Sequence, residues 1–345
     1  MKQLNILNTA IFSLLISNIS NAETINIKIP DVPDVPKVEA IVPTVNVISN
    51  SSSKTNAQII EEATRKKVII FSEHVAPEMI ETKDVPEKKI EVGDIKDGRV
   101  AAYLHAPFMK PKDVVKILQS AGFTILATFK VDKKGSATSI TFTNEELQKV
   151  SAKKMRGFAG ALRITVDKKN KLLSISNPIY MHRAFMQDEY DAALAEKTLA
   201  TLRNSFKDLK NSKEIIKFRV LERFQFMEGM PRYADMQVIK KASNEALLKS
   251  AKKSKKIIYV QKLENGAIVL GVALGKRTSK FIKKTGYQNA GLLPYPVLIE
   301  NGEAKILDPK YYISVMYPML KMSQFMKIAT VPGAISKDVD KIFRK

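Results

Sequence analysis

The sequence predicts an α+β protein: two tandem antiparallel-sheet units, each with helices on one face, after an extended N-terminal leader. Three observations carry that prediction. The body of the chain repeats itself. Each copy alternates strand-like and helix-like stretches in one order. The stretch before the repeats is punctuated by proline instead of following either period.

The repeat shows best with Ala159-Gly160-Ala161-Leu162 set over Ala290-Gly291-Leu292-Leu293, an offset of 131. Without a gap, Asn170 then falls on Asn301, Ile175 on Ile306, Asn177-Pro178 on Asp308-Pro309 and Tyr180 on Tyr311. Going backward, Gly135 meets Gly266 and Lys153 meets Lys284. The helix-like stretch 113–121 matches 244–251 with a one-residue shift. The reading is a first repeat domain over 98–229 and a second over 230–345, each built on a unit of about 105–115 residues.

Each unit reads β-α-β-β-(short α)-β-β-α. In the first copy, residues 100–108 are strand-like. Pro111 sits at a helix start, Val114, Val115 and Leu118 line one face, and Gly122 stops it. Residues 123–131 and 137–142 are strands around a turn at 132–135. Thr143 with Glu146 predicts a capping box that opens a short helix. Residues 161–166 and 172–176 make a hairpin, and Asn177-Pro178 caps and opens a helix from 179 to 209. The second copy gives a strand at 236–239 and a helix at 243–253. Strands at 257–261 and 267–273 follow, around Glu264-Asn265-Gly266, then a short helix at 279–285. A hairpin follows across Asn301-Gly302, and Asp308-Pro309 starts a last helix in which Pro318 predicts a kink.

Gly291-Leu292-Leu293-Pro294, the strand Val297-Leu298-Ile299, the turn Glu300-Asn301-Gly302 and Asp308-Pro309-x-Tyr311 resemble the C-terminal signature of the family known as domain of unknown function 302. The first copy carries a decayed version in Gly160-Ala161-Leu162, Ile164-Thr165-Val166 and Asn177-Pro178-x-Tyr180, with Arg163 where the family has proline. The upstream Gly-Asn-Pro element is evident in neither copy. The resemblance spans 98–209 and 230–330. It implies a TATA-binding-protein-like β-α-β4-α fold and no assigned chemistry. Single-domain members pair, so the two copies are expected to form an intramolecular pseudo-dimer.

Composition bounds the chemistry. The 345 residues contain no Cys, which excludes disulfides, thiolate catalysis and thiolate metal sites. The formal net charge is +22. It is split unevenly: −4 over 23–97, +11 over 98–229 and +14 over 230–345. Lys2, a mostly apolar stretch from 6 to 16 and Ser20-Asn21-Ala22 read as a secretory signal over 1–22, cleaved after Ala22. The expected location is a bacterial periplasm or the exterior, with no membrane span after signal removal. Pro30, Pro33, Pro36 and Pro43 favour extended chain, 50–57 reads as a polar linker, and 58–67 could form a short helix. The leader over 23–97 is expected to be partly disordered.

No catalytic, cofactor-binding or metal-binding set is readable. The three His (His74, His105 and His182) lack ligand spacing, and no Gly-rich nucleotide motif or nucleophile elbow occurs. The candidate partner surface is Tyr180 and Tyr311 in the first turns of equivalent helices, Arg183 beside the first, and the basic run Lys276, Arg277, Lys280, Lys283 and Lys284. A second run holds Lys249, Lys252, Lys253, Lys255 and Lys256. Such runs attract anionic envelope components or acidic proteins. Nucleic acid fits the charge but not the address, and aromatics are not interleaved with the lysines. The function expected is binding or assembly at the envelope through basic surfaces and an interdomain groove. The alternative is a small-ligand or Cu(I) protein, because Met319, Met322 and Met326 recur at helical spacing and thioethers suit a soft cation.

Overall fold

The computed structural model describes residues 89–344. The signal over 1–22, the proline-spaced stretch, the linker at 50–57, the helix at 58–67 and His74 lie outside the described residues.

The described chain is α+β, with antiparallel sheets. Strand β1 (Arg99–Ala101) leads into β2 (Tyr103–Pro107). Helix α1 (Pro111–Ser120) follows, with Pro111 in its first turn and Val114 and Leu118 buried against β3 (Thr124–Lys130) and β4 (Ala137–Thr143). Then come α2 (Glu145–Ser151), β5 (Leu162–Asp167), β6 (Leu172–Ser176), α3 (Pro178–Met186), α4 (Ala192–Ser205), β7 (Lys210–Asn211) and β8 (Ile215–Lys217). The first sheet runs β3-β4-β5-β6-β2-β7, and β1 pairs with β8 apart from it. The second half holds β9 (Gln237–Lys241), α5 (Asn244–Lys252), β10 (Ile257–Lys262), β11 (Ile268–Val272), α6 (Ile282–Thr285), β12 (Tyr295–Glu300), β13 (Glu303–Ile306), α7 (Pro309–Met316), α8 (Met322–Met326) and α9 (Val331–Asp340). Its sheet runs β10-β11-β12-β13-β9. Position by position, that is the order of the first five strands of the first sheet.

Local chemistry explains many of the boundaries. Asn177 and Asp308 each accept a backbone N–H two residues on and present proline to the first turn, so both strand-to-helix junctions are capped. Asn301 and Gly302 both take positive φ (52° and 74°), the twist a two-residue hairpin needs. In the first sheet, cross-strand partners put Leu104, Ile140, Ile164 and Ile175 on one fully buried apolar face. Each such side chain contributes about 1.5–3 kcal/mol of burial. The other face is polar: Ser139, Thr141, Arg163, Thr165, Ser174 and His105.

Four expectations are corrected. The helix over 179–209 is two helices, broken where Gln187 takes φ +56° and restarted by Asp191, whose carboxylate accepts from Leu194 N at 3.0 Å. The cap of α2 is Asn144, accepting from Leu147 N at 2.8 Å, and Thr143 instead donates its hydroxyl to Gly160 O at 2.6 Å. The last helix is not kinked at Pro318 but divided into α7, α8 and α9, with Met319 outside any helix. The strand over 100–108 is divided into β1 and β2, whose partners differ. Residues 89–97, read as the end of the leader, are held to the first half. Arg203 pairs with Asp94 at 2.7 Å and donates to Val92 O at 2.7 Å, and Asn177 Nδ2 donates to Gly93 O at 2.9 Å.

Residues 89–344 belong to one compact unit, and its two halves meet along a continuous seam. The 3-10 turn Gly157–Ala159 lies on β11 and β12, while the 3-10 segment Tyr287–Leu292 lies on β4, β5 and β6. The approach is close at Gly157: a Cβ there would stand 2.6 Å from Leu298 Cδ1 and force that buried side chain to shift.

Candidate functional site: a lysine-lined cleft at the seam

The turn between β3 and β4 faces the segment that runs from the end of β11 through α6. Between them lies a cleft of about 630 Å³. Its apolar surface comes from Phe129, Val131, Leu274 and Ile282. Six lysines line it: Lys130, Lys133 and Lys134 from the first half, Lys276, Lys280 and Lys283 from the second. Among the described residues, none of these six has a carboxylate within ion-pair distance.

Asp132 is the one carboxylate in the lining, and its oxygens are already engaged. It accepts from Ser136 N at 2.8 Å and from Tyr287 O–H at 2.9 Å, which ties the two halves together beneath the lysines. Burial pushes its pKa up, but the bonds from Ser136, Tyr287 and Gly135 outweigh that and hold it below its ordinary value. It is therefore ionised and internally bonded rather than a counter-charge for six ammonium groups.

The expected partner residues divide. Lys276, Lys280 and Lys283 come together in the cleft. Lys284 lies outside its lining and donates to Lys327 O at 2.7 Å; Arg277 is exposed beside it. Arg183 is elsewhere, paired with Glu222 and lying over the Tyr190 and Phe218 rings at 5.5 Å from each centroid. That pairing and stacking make it a structural cation. Tyr180 and Tyr311 do not line a cleft: both are fully buried at the seam. Tyr180 donates to Val315 O at 2.6 Å and Tyr311 to Ala184 O at 3.3 Å. Lys130 was legible only as the end of a strand, and Lys133 and Lys134 only as turn residues. Their one sequence signal is three lysines crowded around Asp132.

The other lysine run makes a weaker site. Lys249 and Lys252 border a shallow groove beside α5, but Glu245 shares its lining. The described residues contain no group of three or more His, Asp and Glu placed to hold a metal ion. No described helix is long and apolar enough to cross a membrane.

His182 is fully buried on α3, and neither ring nitrogen has a partner among the described residues. Burial lowers its pKa from 6.5 to about 4, against the pull of Asp191. The unfolded chain takes up this proton near pH 6.5, whereas the folded chain resists until about pH 4. Stability is therefore fully present above pH 6.5 and lost as pH falls toward 4, by about 3 kcal/mol in the limit. Urea unfolding of His182→Leu should show a shallower loss than wild type between pH 6.5 and 4.5. Parallel profiles would contradict the assignment.

Compared with known proteins, the chain matches no protein-family model, no curated protein and no solved structure.

Proposed function

We propose that this is an exported envelope protein that binds rather than catalyses, holding an anionic amphiphile of the envelope in the lysine-lined cleft. One observation carries the reading: six lysines with no carboxylate partner among the described residues line a cleft with apolar side chains, on both sides of a seam. An ammonium cluster of this kind attracts phosphate or carboxylate headgroups, and the apolar side chains accept a hydrocarbon portion. Export rests on the signal read over 1–22.

The same proposal includes the architecture. Each half is one copy of a TATA-binding-protein-like unit related to the domain of unknown function 302 family, and the copies face each other as an intramolecular pseudo-dimer. Two features support this. The strand orders agree, and the seam contacts are reciprocal. Val315 stands 131 residues after Ala184, as Tyr311 does after Tyr180, so each tyrosine reaches the other copy's equivalent carbonyl. A two-fold relation produces that reciprocity.

Binding is tested by co-sedimenting the full chain with phosphatidylglycerol or phosphatidylcholine vesicles at low and high salt. The proposal expects binding to the anionic vesicles alone, lost at high salt as screening shortens the reach of the lysines. Equal binding to both vesicles, or none, would overturn it. Capture of an acidic protein without vesicle binding would move the partner to a different class.

A second reading concerns the methionines. Met319, Met322 and Met326 are all exposed, as is Met227, whose neighbour Phe226 packs on Phe325 at 5.4 Å. Thioethers held out to solvent suit Cu(I) or its stable analogue Ag(I). Ag(I) should raise the Tm of wild type and not of Met322→Leu. An equal rise in both would remove the methionines from the reading.

A further inference from the structure

Among the described residues, Arg163 is a buried cation without a counter-charge. It sits on β5 at 4% exposure, where the related position of the second copy is Pro294. No described carboxylate pairs with it. Its Nη2 makes only two long contacts, 3.5 Å to Tyr259 O–H and 3.5 Å to Pro294 O, and its Nε has no partner. An uncompensated buried charge costs several kcal/mol, so a guanidinium in this position calls for an anion.

The surroundings supply further donors. Thr141 is the cross-strand partner of Arg163 on β4, and Thr165 lies two residues along β5 on the same face. The hydroxyls of both are buried and unpartnered. So is the hydroxyl of Tyr312 from α7, close enough that the Arg163 charge partly offsets the rise that burial gives its pKa. The row continues across the sheet: Ser174 pairs with Thr165 and His105 with Ser174, and each has an unpartnered buried polar atom. Orphaned polar atoms cost about 1–3 kcal/mol each, and a native protein rarely concentrates them on one face without filling the space between them.

We infer that Arg163, with the hydroxyls of Thr141, Thr165 and Tyr312, binds a small monovalent anion of chloride size inside the seam. The site is separate from the lysine cleft and does not depend on it. A guanidinium N–H and three hydroxyls all donate to such an ion. The anion neutralises the buried charge and so couples the first sheet to the half that covers it.

The test is thermal unfolding of the full chain at constant ionic strength, replacing sodium gluconate by sodium chloride. Wild type should gain about 5 °C once chloride exceeds its Kd a hundredfold, saturating rather than rising linearly. Arg163→Met removes both the charge and the donor at similar volume. It should unfold at the same temperature in both salts and be at least as stable as wild type in gluconate. An equal chloride effect in the two proteins would place the ion elsewhere and overturn the inference. Bromide soaked into wild-type crystals gives a second measurement, independent of the variant's folding. An anomalous peak within hydrogen-bond distance of Arg163 is expected. Water alone at that position would overturn it.

Discussion

Replacing Lys276, Lys280 and Lys283 together by Glu weakens binding to phosphatidylglycerol vesicles by about 100-fold or more. A lysine near an anionic surface contributes about 1 kcal/mol, so losing three attractions already costs about 3 kcal/mol. The three new carboxylates add repulsion beyond that. Stability does not fall, because the side chains are exposed and the change relieves crowding among like charges. The matched control is Lys252→Glu, Lys253→Glu and Lys255→Glu in the second basic run. It changes net charge by the same amount and leaves binding within about tenfold. Equal losses from both triples would mean that net charge, not the cleft, carries the attraction.

Tyr311→Ala destabilises the fold by about 3–5 kcal/mol, the cost of emptying a fully buried aromatic site. The ring packs edge-on against Phe224 and Tyr233, at centroid distances of 6.0 and 6.1 Å, and its hydroxyl donates to Ala184 O across the seam. Tyr311→Phe keeps the ring and loses one hydrogen bond, a change of about 1 kcal/mol. Tyr180→Ala should match Tyr311→Ala, because its hydroxyl makes the reciprocal bond to Val315 O. Urea unfolding followed by far-ultraviolet circular dichroism measures all three. A Tyr311→Ala protein within about 1 kcal/mol of wild type would mean that the halves do not lean on this contact.

What was legible in the sequence was local. Asn177-Pro178, Asp308-Pro309 and Asn301-Gly302 each carry their conformational instruction in two residues, and the chain obeys all three. The break at Gln187 has no such mark, since neither glycine nor proline stands there to declare a positive φ. Thr143 and Asn144 are both good caps. A distant carbonyl, Gly160 O, draws the Thr143 hydroxyl away and leaves Asn144 to cap. Strands β7 and β8 are only two and three residues long, and they exist only because β2 and β1 offer edges to pair with.

The cleft was half legible for the same reason. Lys276, Lys280 and Lys283 announce themselves by spacing, whereas Lys130, Lys133 and Lys134 reach them only through the packing of one half on the other. Tyr180 and Tyr311 look like cleft residues in a first turn because tyrosine is amphipathic. The seam buries them, and each spends its hydroxyl on a carbonyl of the opposite half.

Lysine acetylation footprinting, read by mass spectrometry with and without phosphatidylglycerol vesicles, tests the central claim most directly. Protection should concentrate at Lys130, Lys133, Lys134, Lys276, Lys280 and Lys283, with Lys249, Lys252, Lys253, Lys255 and Lys256 still reactive. Protection of that second run with the cleft lysines left reactive would contradict the account.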